Sequence, residues 1–236
     1  MVDIDKVYQR VLALANKEQR GYITPQEFNL YANQAQMELY EQYFYDLNNF
    51  EIRDAAFSLN DNITDITRKK LDIFLTTAST SMVASFGSIG FQIKLPNYVY
   101  RVSRVELNGL EVEYVDMSGY KDRINTGRLI GPSASRPIYT QLSNLLRVSD
   151  GNDVISGVSL DYYRVPKVVS WGYFVLSQKA LYDSSTAKTT HFEMHPAEES
   201  ELVYKILKFA GISMAKQDIL QAGQGMESMQ VQQQKQ

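Results

Sequence analysis

Residues 191–236 read HFEMHPAEESELVYKILKFAGISMAKQDILQAGQGMESMQVQQQKQ, and the organisation of the chain is inferred from this stretch outward. Pro196 stands in the first turn of a predicted helix. Acidic residues in that turn favour the positive end of the helix dipole; they are Glu198, Glu199 and Glu201. Apolar residues at helical spacing then predict a buried stripe, formed by Leu202, Val203, Ile206, Leu207 and Ala210. A glutamine-rich tail follows, with too few apolar residues to form a core of its own. Such a tail is typical of a segment that binds another subunit.

The composition is that of an ordinary globular chain. Of its 236 residues, 44% are hydrophobic and 22% are charged, and the formal net charge is -3. The length allows one large domain or two small ones. The absence of cysteine excludes disulfides, thiolate metal sites and cysteine nucleophiles. The chain is weakly acidic, whereas nucleic-acid-binding domains typically carry an excess of basic residues.

The sequence also bears on the compartment. No apolar run approaches the roughly 18 residues of a membrane span. The N-terminus, MVDIDKVYQR, carries charges where a signal peptide would be apolar. A protein that is made and folded in the cytoplasm, with no membrane partner, is therefore expected.

Tyrosine is frequent, with 16 Tyr and 10 Phe against a single Trp. Tyrosine suits surfaces that are wet before assembly and dry after it. A tyrosine-rich β-sheet explains the same bias equally well, because strands favour aromatic residues.

Two helices are predicted near the N-terminus. The first spans residues 3–16, where apolar residues recur at helical spacing. The second begins at Thr24, Pro25 and Glu27, which have the spacing of a capping box. It is predicted to run to about Asp46 with one apolar face, formed by Phe28, Ala32, Ala35, Leu39 and Tyr43. Three tyrosines fall off that face and are interpreted either as packing within the subunit or as contacts between subunits: Tyr31, Tyr40 and Tyr45.

A third, weaker helix is predicted at residues 63–74, after an irregular stretch at residues 48–62. One side of this helix carries Ile63, Ile66, Lys70 and Ile73. The basic run from Arg68 to Lys70 is interpreted as a solvated face, because no glycine-rich loop precedes it as a phosphate site would require.

The middle of the chain is predicted to be rich in β-strands. Residues 76–90 favour a linker, and alternation then predicts strands from Phe91 onward, with a hairpin turn at Asn108-Gly109. A long exposed loop is predicted at residues 117–136, followed by short strands up to residue 176. The resulting boundaries are 1–75 for helices, 76–190 for the β-rich insertion, 191–221 for the returning strand and helix, and 222–236 for the arm. Helices from both ends packing together beside a layer of strands give an α+β fold.

The sequence offers little for catalysis or metal binding. His191, Glu193 and His195 share one face of a predicted strand, but a zinc site would need a further ligand. Since Phe192 and Met194 form the apolar face, the polar trio is predicted to face solvent. No P-loop, calcium loop or nucleophile elbow is complete. We therefore expect no enzyme activity, no cofactor and no metal.

Both ends of the chain resemble a family of structural proteins. Residues 7–47, VYQRVLALANKEQRGYITPQEFNLYANQAQMELYEQYFYDL, and residues 192–212, FEMHPAEESELVYKILKFAGI, carry the resemblance. They are similar to the head-to-tail connector proteins of tailed phages, the neck ring or adaptor (tail tubular protein A) type, found in crAss-like and related short-tailed phages. The likeness is loose between the two ends.

The resemblance implies a virion protein of the phage neck, assembled in the host cytoplasm. It implies a helical bundle with a β-rich insertion and a homo-oligomeric, twelve-fold ring that binds the portal protein and adjoining tail or ring proteins. Packaged DNA would pass through its channel. The implied portal-docking arm lies within residues 212–236, with Ile219, Leu220, Gln224, Met226, Met229 and Val231 as candidate contacts.

A second hypothesis is a nucleic-acid-binding module of the virion. Basic residues near tyrosines could contact phosphates and bases; they are Arg101, Arg104, Lys121, Arg123 and Arg128. The same residues are the candidates for facing DNA in a connector channel. Salt-dependent binding of DNA by the isolated subunit distinguishes this hypothesis from a purely structural role.

Overall fold

The computed structural model describes residues 1–17, 23–54, 61–80, 84–85, 91–125, 131–151, 157–185, 187–213 and 228–229. The fold is α+β, as the sequence predicts. The chain forms two compact units, a helical unit (Met1–Ile73 with Pro166–Gln236) and a β unit (Phe74–Val165). The chain returns to the helical unit at Pro166, because residues 167–171 are hydrogen-bonded to helix residues and not to a sheet. The sequence predicted this return at residue 191.

The elements follow one another in the order α1 (Ile4–Lys17), α2 (Pro25–Asp54), α3 (Asp61–Leu71), β1 (Leu75–Thr80), β2 (Ala84–Ser85), β3 (Phe91–Lys94), β4 (Val99–Leu107), β5 (Leu110–Glu111), β6 (Glu113–Tyr114), α4 (Met117–Asn125), β7 (Ile138–Leu142), β8 (Leu145–Ser149), β9 (Val158–Arg164), β10 (Tyr173–Leu176), β11 (Lys179–Tyr182) and α5 (Glu199–Ser213). Short 3₁₀ turns lie at Asp72–Phe74 and Pro196–Glu198.

The start of α2 is the predicted capping box. The Glu27 carboxylate accepts from the main-chain N–H of Thr24 at 2.9 Å, and the Thr24 hydroxyl accepts from the N–H of Glu27 at 3.3 Å. The predicted apolar face of α2 is buried throughout; it comprises Phe28, Ala32, Ala35, Leu39 and Tyr43. The helix continues to Asp54, so its predicted end near Asp46 was wrong. Asparagines are weak helix formers, but they do not end a helix on their own.

The helical unit is centred on α5, which packs against α1 and α2. The predicted stripe of α5 is buried; it comprises Leu202, Val203, Ile206, Leu207 and Ala210. Two isoleucines from the apolar side of the predicted third helix are exposed. Ile66 is 54% exposed and Ile73 is 39% exposed, whereas Thr67 and Leu71 are buried. The helix therefore turns a face toward α2 that the apolar pattern alone did not identify.

The β unit contains two sheets that share a core. One sheet has the order β1-β9-β4-β5 and the other has the order β2-β3-β8-β7-β6. All pairings are antiparallel except that of β6 with β7. The shared core comprises Phe91, Ile93, Leu95, Val105, Leu107, Val112, Leu146, Val148, Val158, Leu160 and Tyr162. Strands β1 and β2 occupy residues 76–80 and 84–85 of the predicted linker, so the prediction was wrong there. The rest of that linker, residues 81–83 and 86–90, lies outside the described residues.

Helix α4 lies within the predicted exposed loop of residues 117–136. Its start is held by Asp116, whose carboxylate accepts from the Ser118 hydroxyl and from the main-chain N–H of Gly119. Tyr120 is buried against Val115 and Ile138. A local cap and one buried aromatic ring thus form a helix in a segment whose composition favours a loop. No helix in the described ranges is both long enough and apolar enough to cross a membrane.

Alanine substitutions at two glycines of the β unit are expected to have different costs, because only one of them adds a steric clash to the backbone strain. Gly109 (φ +81°), in the predicted Asn108-Gly109 turn, has nothing within 4 Å of an added Cβ. Gly151 (φ +77°) would place a Cβ 2.6 Å from the Pro132 carbonyl oxygen. We expect Gly109→Ala to cost about 1–2 kcal/mol of unfolding free energy through the left-handed backbone alone. Gly151→Ala is expected to cost about 3 kcal/mol or more, because the clash is added. Urea unfolding of both variants checks this, and equal losses would contradict it.

Candidate functional site

Three amide side chains of α2 bind the main chain of residues 167–171, an extended segment called the strap below. The Asn33 side chain donates to the carbonyl of Val169 and accepts from its N–H, both at 2.8 Å. Asn29 accepts from the N–H of Trp171 at 2.7 Å and donates to its carbonyl at 3.4 Å. Gln36 donates to the carbonyl of Lys167 at 2.8 Å. These amides lie at positions i, i+4 and i+7, on one face of the helix. They form hydrogen bonds with the main chain of every second strap residue, as a neighbouring β-strand would.

Glu193 completes this arrangement. Its main-chain N–H donates to Gln36 Oε1 at 3.3 Å, and its carboxylate accepts from the N–H of Lys167 at 3.0 Å. The Lys167 ammonium lies 3.4 Å from the same carboxylate. Glu193 is only 3% exposed, so the prediction that it faces solvent was wrong. Phe192 and Met194 are fully buried, as predicted. Both faces of this segment are therefore covered at residues 192–194, whereas His191 is partly exposed and His195 is exposed, as predicted.

Trp171, the last strap residue, is the base of the β10–β11 hairpin. Its ring stacks on Tyr173 of β10 and on Tyr182 of β11, with centroids 5.9 and 5.7 Å away. The ring centroid of Tyr8 lies 4.3 Å from that of Trp171. The indole N–H donates to the Asp5 carboxylate at 2.9 Å. The root of the hairpin is thus fixed by aromatic packing and a hydrogen bond.

The far end of the hairpin is apolar and exposed. Its exposed apolar residues, called the hairpin patch below, are Phe174 (45%), Val175 (65%), Leu176 (60%) and Leu181 (41%). β10 pairs only with β11 among the described strands. The turn uses left-handed backbone at Ser177 and Gln178, neither of which is glycine. This hairpin was not predicted, since strands were expected only up to residue 176.

Both histidines bind main-chain groups. His191 Nδ1 accepts from the N–H of Ile4 at the start of α1, at 3.2 Å. His195 Nδ1 accepts from the N–H of Ala197 and caps the 3₁₀ turn before α5. Each ring thus satisfies an orphan donor at a helix start. In the ranges that the structure describes, no three His, Cys, Asp or Glu side chains are grouped so that they could hold a metal ion.

A buried charge cluster lies where α2, α3 and α5 meet. The Lys70 ammonium is 2.5 Å from a carboxylate oxygen of Glu198, which is 2% exposed. Glu201 is hydrogen-bonded to Glu198 and is 5% exposed. Lys205, 1% exposed, binds Glu38 at 2.9 Å. The interpretation of Lys70 as part of a solvated face was therefore wrong, because this side chain turns inward to a buried carboxylate.

The cluster shifts the protonation of two groups. Burial, together with the charge and hydrogen bond of Glu198, raises the pKa of Glu201 to about 7. Lys205 and Lys70 oppose this shift without cancelling it. Burial raises the pKa of the Tyr43 hydroxyl far above its usual range, and the charges of Glu198 and Glu201 add to this effect. Glu201 is therefore an acid that titrates near neutrality inside the helical unit.

The three tyrosine candidates have different positions. Tyr40 is fully buried and makes an edge-to-face contact with Phe44, and Tyr31 is 8% exposed. Both pack within the chain, so they are unsuited to contacts between subunits. Of the two interpretations offered for these tyrosines, packing within the subunit applies to Tyr31 and Tyr40. Tyr45 is 67% exposed and stays a candidate for such a contact.

The basic candidates lie in the β unit. Arg104 is paired with Glu106 at 3.1 Å and Glu111 at 3.6 Å, and Arg123 is paired with Glu113 at 2.8 Å. These carboxylates would compete with phosphate for the two guanidinium groups. Arg101 and Lys121 are exposed, and Arg128 falls outside the described residues.

The predicted portal-docking arm is described at one position only. Met229 is 67% exposed. The other candidates fall outside the described residues; they are Ile219, Leu220, Gln224, Met226 and Val231. The arm as a binding segment therefore stays a prediction.

The sequence is not assigned by comparison with other proteins. It matches no protein-family model, and no curated protein matches it significantly.

Proposed function

We propose that this chain is a structural subunit of a bacteriophage head-to-tail connector ring. In this proposal the subunit assembles on the portal through its C-terminal arm, joins the portal to the tail and lines part of the DNA channel. The resemblance of residues 7–47 and 192–212 to connector proteins supports it. The described residues within those stretches also form the packed core of the helical unit, with α1 and α2 against α5.

The observation that carries the proposal is the hairpin patch. The residues of the hairpin patch cover both faces of the hairpin, since Phe174, Leu176 and Leu181 lie on one face and Val175 lies on the other. Exposed apolar side chains are typical of protein–protein contacts. Here they lie on a hairpin whose root is fixed by Trp171, so little conformational entropy has to be lost on docking. An isolated two-stranded hairpin is only marginally stable in water, which favours a partner that covers it.

A closed ring needs a heterologous interface, in which each subunit offers two different surfaces. The hairpin patch supplies one of them. Tyr45, exposed on α2, is the candidate for the other. A weakly acidic chain also suits a channel that must not retain DNA by strong attraction.

Ring assembly tests the proposal through a matched pair of variants. Val175 lies in the hairpin patch and is 65% exposed, whereas Val168 lies in the strap and is 75% exposed. We expect Val175→Asp to leave the subunit folded but to prevent ring formation with portal, because a charge would be buried at the interface. Val168→Asp is the control and is expected to assemble normally. Electron microscopy of the assemblies, and of native particles, gives the readout.

Two results would count against the connector. One is normal ring formation by the Val175→Asp variant, which would remove the hairpin patch from the interface. The other is a native particle whose neck lacks this subunit, which would overturn the function itself. Salt-dependent DNA binding by the isolated subunit would instead favour the nucleic-acid-binding module.

A further inference from the structure

We propose that one side of α2 is the surface on which the β10–β11 hairpin of a second copy docks. In this contact Lys179 of one copy pairs with Glu41 of the next. The inference rests on the proposed ring assembly, and it names the two surfaces that meet between neighbouring subunits.

One face of the hairpin combines apolar residues with a lysine. Phe174 lies directly opposite Leu181, and Leu176 lies directly opposite Lys179. Because residues opposite each other or two apart on a strand share a face, these four residues form one surface, called the lysine face below. All four side chains are exposed. Lys179 has no ion-pair partner among the residues that the structure describes.

The outer face of α2 has the complementary charge. Its five residues recur at spacings of three or four, so they lie on one side of the helix; they are Leu30, Gln34, Met37, Glu41 and Tyr45. Met37 is half-buried and the other four are exposed. Glu41 also lacks an ion-pair partner within the described ranges. Each of the two surfaces therefore carries one unpaired charge among apolar side chains, and the charges are opposite.

The spacing of charged and apolar residues agrees on the two surfaces. On the helix, Met37 and Tyr45 each lie four residues from Glu41, with Cβ atoms about 6 Å away. On the hairpin, Leu181 lies two residues from Lys179, which is about 7 Å along the strand. When Lys179 reaches Glu41, Leu181 therefore comes to one of the apolar side chains beside that glutamate. A single arrangement covers the apolar groups and pairs the charges.

The two surfaces lie at different places in the helical unit. The root of the hairpin is fixed near the start of α2, where Asn29 binds the main chain of Trp171. Glu41 lies about 18 Å further along the same helix. One copy can therefore offer its hairpin to one neighbour and its α2 to another, as the heterologous contact of a closed ring requires.

Chemical crosslinking tests the contact on the full chain, which contains no cysteine of its own. A short bismaleimide is used, because the residues of an ion pair lie further apart than a disulfide allows. After assembly with portal, we expect the Glu41→Cys, Lys179→Cys variant to form a ladder of covalent oligomers on denaturing gels. Glu41→Cys with Lys188→Cys is the matched control, since Lys188 is 56% exposed but outside the lysine face. We expect the control to give roughly tenfold less covalent oligomer, because only neighbouring cysteines react at high effective concentration.

Charge reversal gives an independent readout of the same contact. We expect Lys179→Glu and Glu41→Lys each to lower ring formation with portal by roughly tenfold, because like charges then face each other across the interface. The combined variant restores opposite charges and should recover ring formation. Electron microscopy counts the rings in all three variants and in the wild type.

The results separate this contact from the connector function. The contact is overturned if wild-type rings form but the crosslinked ladder does not exceed that of the control. It is also overturned if either single reversal assembles like the wild type, or if the combined variant fails to recover. In these cases wild-type rings on the portal still support the connector. A wild-type chain that forms no ring with portal counts against both.

Discussion

Replacing Trp171 with alanine is expected to lower the unfolding free energy of the helical unit by about 4 kcal/mol, at the high end for a single core residue. The indole is 2% exposed and contacts the rings of Tyr8, Tyr173 and Tyr182. Its removal leaves a cavity among these rings and an unpaired carboxylate at Asp5. Denaturant unfolding followed by circular dichroism measures the loss.

The Trp171→Ala variant is also expected to lose stability mainly in one place, the β10–β11 hairpin. Because Trp171 supports both strands of the hairpin, we expect amide protection of β10 and β11 to fall in Trp171→Ala even where the rest of the unit stays folded. Trp171→Phe is the control, since it keeps an aromatic ring and loses the hydrogen bond to Asp5, at a cost of about 1–2 kcal/mol. Equal effects of the two variants would contradict the role of Trp171 as the base of the hairpin.

Replacing Asn33 with leucine is expected to cost about 3 kcal/mol, because it leaves the N–H and the carbonyl of Val169 without their partner at once. Val169 is 1% exposed, so water cannot easily replace the lost bonds. Leucine is close to asparagine in shape and is the better helix former. The loss can therefore be assigned to the strap and not to α2 itself.

The neighbouring amide provides the control for Asn33. Gln34, the next residue of α2, is exposed, and Gln34→Leu should change the unfolding free energy by less than about 0.5 kcal/mol. Guanidinium unfolding of both variants gives the comparison. A loss below about 1 kcal/mol for Asn33→Leu would mean that the strap finds other partners for its main chain.

Local signals made much of the fold predictable. The capping box at Thr24 and Glu27, the left-handed turn at Asn108-Gly109 and the apolar stripe of α5 each act within a few residues of chain. Their outcome depends little on distant partners. The α+β class followed from the same signals, because helical and strand periodicities occupy different parts of the sequence.

Features that depend on distant partners were not predictable. Asn29 and Asn33 look like surface amides, and only the strap, more than a hundred residues later in the chain, gives them a role. Glu198 and Glu201 look like ordinary acidic residues of a helix start, until Lys70 is placed beside them. Polar residues were assigned to solvent, and that assumption fails wherever a buried partner satisfies them.

Two errors had local causes. Helix α4 was missed because Gly119 and its polar neighbours favour a loop, although Asp116 stands at a typical capping position. The β10–β11 hairpin was missed because Ser177-Gln178 lacks the glycine or asparagine that usually marks such a turn. In both segments the composition was informative, but it was given more weight than the position of single residues.

The β unit begins and ends at one place. Leu75, the first residue of β1, pairs with Tyr163 near the end of β9, so entry and exit lie on adjacent antiparallel strands about 5 Å apart. A segment attached in this way is an exchangeable cassette. Its loops can lengthen, shorten or diverge while the distance between its two attachment points stays constant. A change in the length of a loop within the cassette would therefore leave the connectivity of the helical unit unaltered.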